Sequence, residues 1–420
     1  MMDAAVCLVG LAQTQLLGAT LRRAATPHST WTSLLASPSS LWVALAAMYA
    51  VALGPAGAVV IAGLTLAAVL ARRLKGVVEA QGPFPWAAFV VLAVLVLARP
   101  WVPTAWDEFV WLGKARLDSL GFGTIVASAL DPAKHVIPQG YPALWPSAVA
   151  WLSLGKDSVQ VHVVAATLLV LASAAAAMEV WWPRLREANV SWIGLVAAVS
   201  VPLLWVHLRL VYLDLPVGLL GLALCGHLLE ATRHPARATG LLASGLAVCL
   251  VGIKDDGLAH VFAATVAAFV VARAPRLKAW RLATPFTLAL LTAVVWRILT
   301  QVSGTPAQDH AGGWPLWSWV PTLVELFATH ATDLTSWGLF WPVAAAFLVT
   351  RWKHIDALGV NVMLVSTLGF MAAALLVGPE RVRAFAENGT LLNRLLMQLW
   401  PSAAVVVALA FARATPRASA

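Results

Sequence analysis

The residues best equipped for chemistry are Asp107 and Glu108, adjacent carboxylates in a polar stretch, residues 99–146, that interrupts an otherwise apolar chain. Aromatics, carboxylates, lysines and prolines gather there, Lys114, Lys134 and Tyr141 among them. A helix over about 106–120 sets Asp107, Trp111, Lys114 and Asp118 along one stripe, at i, i+4, i+7 and i+11. Glu108 then points roughly 100° away from Asp107, so the two carboxylates need not serve one site. A carboxylate beside a membrane can act as general base on an acceptor hydroxyl, and a nearby cation can neutralise a leaving phosphate. Lys114, Lys134, Arg209 and Lys254 are the candidate cations. The competing reading is that Asp107 and Glu108 favour the start of an interfacial helix through its dipole.

Two further acidic positions fall between apolar runs. Asp214 closes Arg209-Leu-Val-Tyr-Leu-Asp, and Pro216 suits the first turn of a following helix, where Asp214 would equally serve as an N-cap. Lys254, Asp255 and Asp256 occupy a very short turn before Gly257, and a turn needs polar residues in any case. Each place has this plain explanation, yet independent loops have no reason to keep all their carboxylates on one face.

The elements that must position these residues are membrane helices. Hydrophobic residues make up 60% of the 420, against 11% charged, where an ordinary soluble domain carries about 25%. The mean hydropathy is +0.82. The net charge of +9 comes from short basic clusters between apolar runs, the pattern of cytoplasmic loops, and no nucleic-acid partner is expected. Cys7, Cys225 and Cys249 lie in apolar runs without CxxC spacing and read as small buried hydrophobes. No cleavable signal is expected, because the first run lacks a basic leader.

The expected architecture is one all-α, polytopic domain over 1–420. It has about 11–13 transmembrane helices, with spans near 4–20, 41–54, 56–71, 85–101, 158–179, 193–211, 215–231, 239–253, 257–273, 282–299, 334–350, 358–378 and 394–412. The Gly54-Pro55 break either separates two helices or kinks one. Residues 102–157 form an outer loop with interfacial helices, and 142–155 is a half-helix or an interfacial helix packed on the outer face, anchored by Trp145 and Trp151. Clusters such as Arg72-Arg73, Arg184 with Arg186 and Arg233 with Arg237 recur on alternate sides of successive spans and mark the cytoplasmic face. The opposite face then receives Asp107, Asp214, the Lys254 turn, the 300–333 loop with Asp309 and His310, and Arg381 and Arg383. These two arginines break the charge rule and are candidates to hold a phosphate.

Trp106-Asp107-Glu108 with Trp111, Lys114 and Ala115, then Tyr141-Pro142 and Trp145-Pro146, resembles the first-loop pattern "DE…W..KA…YP…P" of bacterial relatives of the polyprenyl-phosphate-dependent glycosyltransferases, the C superfamily. Tyr212-Leu213-Asp214-Leu215-Pro216 is similar to their "YADLP" segment, and Lys254-Asp255-Asp256-Gly257 to their "KNEG" turn. Arg394-Leu395-Leu396 through Pro401 is similar to the start of their last helix. The resemblance implies a helical membrane enzyme of the bacterial cell envelope, with its site on the outer, periplasmic face of the inner membrane. It would transfer a hexosyl or pentosyl group from a polyprenyl-phosphate donor to a lipid, glycan or protein acceptor, with inversion. Asp107 is the implied base. Glu108 and Asp214 line the same cavity with Lys254, Asp255 and Asp256, and Arg394 sits at its membrane edge. Lys114, Tyr141 and Arg209 join the donor-binding set. Asp255 and Asp256 replace the family's Asn-Glu, and no DxD triplet occurs in the first loop, so a requirement for a divalent cation, Mg or Mn, stays open.

Of the 21 tryptophans, Trp106, Trp111 and Trp314 are candidate sugar contacts, and most of the others suit interfacial belts. Walker A, dinucleotide-binding, HExxH and GxSxG patterns are absent, leaving soluble nucleotide chemistry without a home. The histidines show no zinc spacing, and His162, His207, His227 and His260 read as pore-facing or helix-bridging. The alternative function is a transporter or flippase for a lipid-linked or anionic solute, which would place ionisable residues mid-helix.

Overall fold

The computed structural model describes residues 2–27, 29–72, 112–116, 141–191, 193, 196, 200–208, 212–233, 240–272, 280–304, 314–350 and 355–411. Among these residues there is no strand, and seven helices are long and apolar enough to cross a membrane. The protein is a multi-pass α-helical membrane protein. Helix is the expected solution in lipid, because it satisfies every backbone polar group within one segment.

The helices run α1 (Met2–Ala25), α2 (Trp31–Leu35), α3 (Ser39–Ala52), α4 (Ala58–Arg72), α5 (Leu144–Leu152), α6 (Val159–Glu187), α7 (Pro202–His207), α8 (Asp214–Arg233), α9 (Gly240–Ile253), α10 (Gly257–Val271), α11 (Trp280–Val302), α12 (Val320–Ala331), α13 (Leu334–Trp337), α14 (Phe340–Thr350), α15 (Ile355–Val377), α16 (Glu380–Glu387) and α17 (Thr390–Ala410). At 29 residues, α6 is about 43 Å long at 1.5 Å per residue, more than a bilayer core requires. Helices α6, α8 and α17 form the centre: 83%, 89% and 83% of their apolar windows are buried in protein, against 28% for α1 and α4. α8 packs on α6, α10 and α17, while α9 packs on α3 and α11.

Residues 41–71 are two helices, the first of the two expected alternatives, separated by a 3-10 turn over Gly54–Gly57, in which Gly54 takes φ +64°. Two expected spans are corrected. The run 193–211 is not one span: Ser200 is a turn and Val201 is extended ahead of Pro202, a residue that disfavours helix immediately before it. The run 334–350 breaks at Gly338, whose φ of +56° separates α13 from α14. Within the segment 142–155, the short helix α5 is buried against α1, α6 and α9. Trp145 is 1% exposed, and the Trp151 indole donates to Thr14 Oγ1 on α1 at 3.1 Å. Three shorter apolar helices, α3, α9 and α10, accompany the seven long ones, and the expected span at 85–101 lies outside the described residues.

The basic residues in the last turns of α1, α4, α6 and α8 (Arg22, Arg23, Arg72, Arg184, Arg186 and Arg233) share one end of the bundle. Ala25, Val43, Ala67, Ala71, Leu241 and Leu242 pack together there. At the other end lie the start of α8, the turn between α9 and α10, and the start of α17.

Candidate functional site

α8 begins at Asp214, which is fully buried, with Leu213 and Tyr212 outside the helix before it. A buried carboxylate needs donors, and the nearest chain segments supply them. Lys254 Nζ and Gln398 Nε2 each donate to Asp214 Oδ1 at 2.8 Å, and Arg394 Nε donates to Oδ2 at 2.8 Å. Lys254 also reaches Asp256 Oδ2 at 2.6 Å, and Gln398 Nε2 lies 3.2 Å from that same oxygen. Asp256 holds the N-cap position of α10, but its side chain makes no capping bond and turns to Lys254 and Gln398 instead. Asp255 faces Arg297 on α11 at 3.6 Å. The Arg394 guanidinium lies 5.3 Å from the Tyr212 ring centroid, a cation–π distance.

Close helix approach makes this convergence possible. On α8, Gly218 and Gly221 follow Asp214 at i+4 and i+7, on the same face. A Cβ at Gly218 would overlap the carbonyl oxygen of Gln398, and one at Gly221 would fall 2.6 Å from His260 Nδ1. Two missing side chains thus let α17 and α10 bring Gln398 and His260 in beneath the carboxylate. Arg394 and Gln398 are four residues apart and share a face of α17, as Asp256 and His260 do at the head of α10.

The formal charges of Asp214, Asp256, Lys254 and Arg394 cancel. Buried ions are tolerable only when paired and hydrogen-bonded, and here each is. Burial acts to lower the Lys254 pKa, but the Asp214 and Asp256 carboxylates outweigh it and hold the ammonium above its ordinary value. Burial acts to raise Asp256, but Lys254 outweighs it and keeps the carboxyl below its ordinary value. Both groups are therefore charged at neutral pH. With two cations and an amide on its oxygens, Asp214 fixes Lys254 and Arg394 in place. The Arg394 side chain is 24% exposed against 7% for Lys254, so Arg394 is the cation at the rim.

Tyr141 is near enough for the charges of Lys254, Asp256, Asp255 and Arg394 to act on its phenol, although burial is the main reason that its pKa rises to about 12. Lys114 Nζ lies 5.9 Å from the Tyr141 ring centroid, and burial pushes its pKa down to about 7. Asp214, Lys254, Asp255, Asp256, Arg394, Tyr141 and Lys114 thus form one neighbourhood. Asp107, Glu108 and Arg209 lie outside the described residues, as do Lys134, Trp106 and Trp111. Trp314 is 96% exposed. Arg383 donates to its neighbour Gly378 O at 2.6 Å. Gln398, His260 and Arg297 are the members not singled out as site residues from sequence; the i, i+4 spacings to Arg394 and Asp256 were the available signal for the first two.

A divalent cation would need carboxylate oxygens that Lys254 and Gln398 now bridge. Among the described residues no group of three or more His, Cys, Asp or Glu side chains is arranged to hold a metal. At the rim of the neighbourhood Arg394 stands beside the Tyr212 ring and the Asp214 carboxylate. Set against protein-family models, curated proteins and solved structures, the chain has no match.

Proposed function

We propose that the protein is an integral membrane glycosyltransferase of the C-superfamily kind. In this reading it moves a hexosyl or pentosyl group from a polyprenyl-phosphate donor to a lipid, glycan or protein acceptor at the Asp214 end of the bundle. One observation carries the reading: two cations, Lys254 and Arg394, are locked onto one buried carboxylate at the end of a bundle of membrane helices, with further carboxylates and tyrosines beside them. A lipid-borne phosphate reaches that level from within the bilayer, and a preorganised cation pair stabilises the charge that develops as it leaves. A transport path would instead call for charges near the middle of spans.

Asp107 is assigned as the base, with Glu108 and Asp255 lining the cavity and Arg209 joining the phosphate-binding set. The acceptor hydroxyl attacks the anomeric carbon and its proton passes to Asp107. The bond from that carbon to the phosphate oxygen breaks, polyprenyl phosphate leaves, and the anomeric configuration inverts. The basic residues at the opposite end support an orientation with that end in the cytoplasm, which puts the site on the outer face of a bacterial inner membrane.

The test is transfer of radiolabelled sugar from a panel of polyprenyl-phosphate sugars, in membranes carrying the unaltered protein, Asp107→Asn or Arg394→Gln at matched levels. The expected result is transfer that Asp107→Asn abolishes and Arg394→Gln reduces by about a hundredfold. Full transfer in both variants would sink this assignment, and solute uptake without transfer would favour a transporter.

A further inference from the structure

Gln398 occupies an unusual place for a glutamine in an apolar helix. Its Nε2 donates to Asp214 Oδ1 and Asp256 Oδ2, the same two oxygens that Lys254 Nζ grips at 2.8 and 2.6 Å. Two donors and two acceptors close a ring, with a cation on one side and a neutral amide on the other. The amide's orientation is fixed from behind, because its Oε1 lies 3.2 Å from His260 Nε2. For that contact to be a hydrogen bond, the imidazole carries its proton on Nε2, leaving Nδ1 as the acceptor that faces Gly221 with no hydrogen-bond partner among the described residues. A flipped amide would turn its oxygen onto two carboxylates and its NH₂ toward another N–H. The ring thus accepts one orientation only.

A methionine would fill this space as well as glutamine does, so packing does not call for the amide. Two carboxylates sharing one lysine do call for it, because without a second bridge they repel each other and the ammonium follows one of them. We propose that Gln398, oriented by His260, is the positioning residue that holds Lys254 and, through Asp214, Arg394 in register to receive the donor phosphate; this rests on the glycosyltransferase reading. The charged and titratable groups facing Gln398 are Asp214 from α8, Lys254 and Asp256 from the turn, His260 from α10, and Arg394 one turn earlier on α17.

The experiment measures binding of a polyprenyl phosphate to the full-length protein in nanodiscs, for the unaltered chain, Gln398→Met and Gln398→Glu, with helix content and elution volume checked for each. Gln398→Met is expected to bind about tenfold more weakly, the effect of losing a hydrogen bond to a charged group. Gln398→Glu is expected to bind more weakly still at neutral pH, where a third carboxylate joins the ring. On acidification to about pH 5 its carboxyl, held up by the two neighbouring carboxylates, takes up a proton and donates to one of them, so its affinity recovers in part relative to the unaltered protein at the same pH. In a purely structural role the recovery would track helix content and elution volume, so an affinity that recovers while both stay constant decides the matter even where Gln398→Met does not fold. Failure of Gln398→Glu to recover, or an unaltered affinity in a folded Gln398→Met, overturns the role of Gln398 and leaves the proposed activity standing. No binding by the unaltered protein overturns the proposed activity and this role with it.

Discussion

The two ends of the bundle bury polar groups in opposite styles. At the basic end, Arg22 Nη1 donates to Ser37 and Ser40 hydroxyls, the Ser37 hydroxyl donates to Glu179, and the Ser39 amide reaches Glu179 Oε2 at 2.9 Å. Ser39 Oγ meets His227 Nε2 at 3.2 Å, and Arg184 pairs with Glu230 at 2.9 Å over the Trp181 ring. Neutral hydroxyls stand between Arg22 and Glu179, and the Arg184–Glu230 ion pair joins one cation to one anion. The contacts stitch the segment after α2 to α6 and α8, a fastening task. At the other end two carboxylates share donors and two cations share one carboxylate. Packing alone would not select such crowding of like charges. On the proposed function, the diluted charge fastens helices and the concentrated charge receives a ligand.

The strongest attempt to break this contrast replaces a buried pair at each end by apolar residues of similar size. Asp214→Leu with Lys254→Met leaves Arg394, Asp256 and Gln398 without their counterparts and should lower stability by about 3–5 kcal/mol. Arg184→Met with Glu230→Leu should cost less, within about 1–2 kcal/mol, because both members of that ion pair leave together. Thermal unfolding in detergent measures both, and equal losses would erase the distinction between the ends. Next in size, Arg394→Gln should cost about 1–3 kcal/mol, since its bond to Asp214 is charge-assisted but sits at the rim. A chemical denaturation midpoint close to that of Asp214→Leu/Lys254→Met would contradict that rim position.

The pH dependence sharpens the comparison further. Folding lowers the Asp256 pKa from 3.8, so its contribution is present above that value and lost as pH falls through the native pKa. Folding raises Lys254 from 10.5, so its contribution is full below that value and lost as pH rises through the native pKa. Unfolding midpoints should therefore hold a plateau between those limits, and Asp256→Asn should flatten the acid limb. An acid limb of unchanged steepness in Asp256→Asn counts against the pairing. The smallest effect is expected for Asp157→Asn, whose partner Arg116 is 61% exposed: about 0–1 kcal/mol in the same unfolding assay.

Much of the site was legible because charge stands out against apolar sequence. Asp214 and Lys254, Asp255 and Asp256 interrupt long hydrophobic runs, and counting arginines told which end they would share. Gln398 and His260 were not singled out because they lie inside such runs, where a polar residue reads as an isolated exception; His260 as a helix-bridging residue was the correct class, but its partner was invisible until α10 and α17 were packed. The glycines that admit that packing carry no signal of their own in a chain with 28 of them. Breaks in the apolar runs were harder still: Pro202 and Gly338 divide runs whose hydropathy is continuous, and the burial of α5 depends on α1, α6 and α9 closing over it.

The ring at Asp214 draws on three stretches far apart in the chain, at residues 214, 254–256 and 394–398. Synthesis delivers them in that order, so Asp214 and Lys254 meet first and wait for nearly the whole remaining length before α17 brings Arg394 and Gln398. Until α17 enters, Asp214 has Lys254 but neither Arg394 nor Gln398 on its oxygens, so the ring of donors around it closes only with the insertion of that helix.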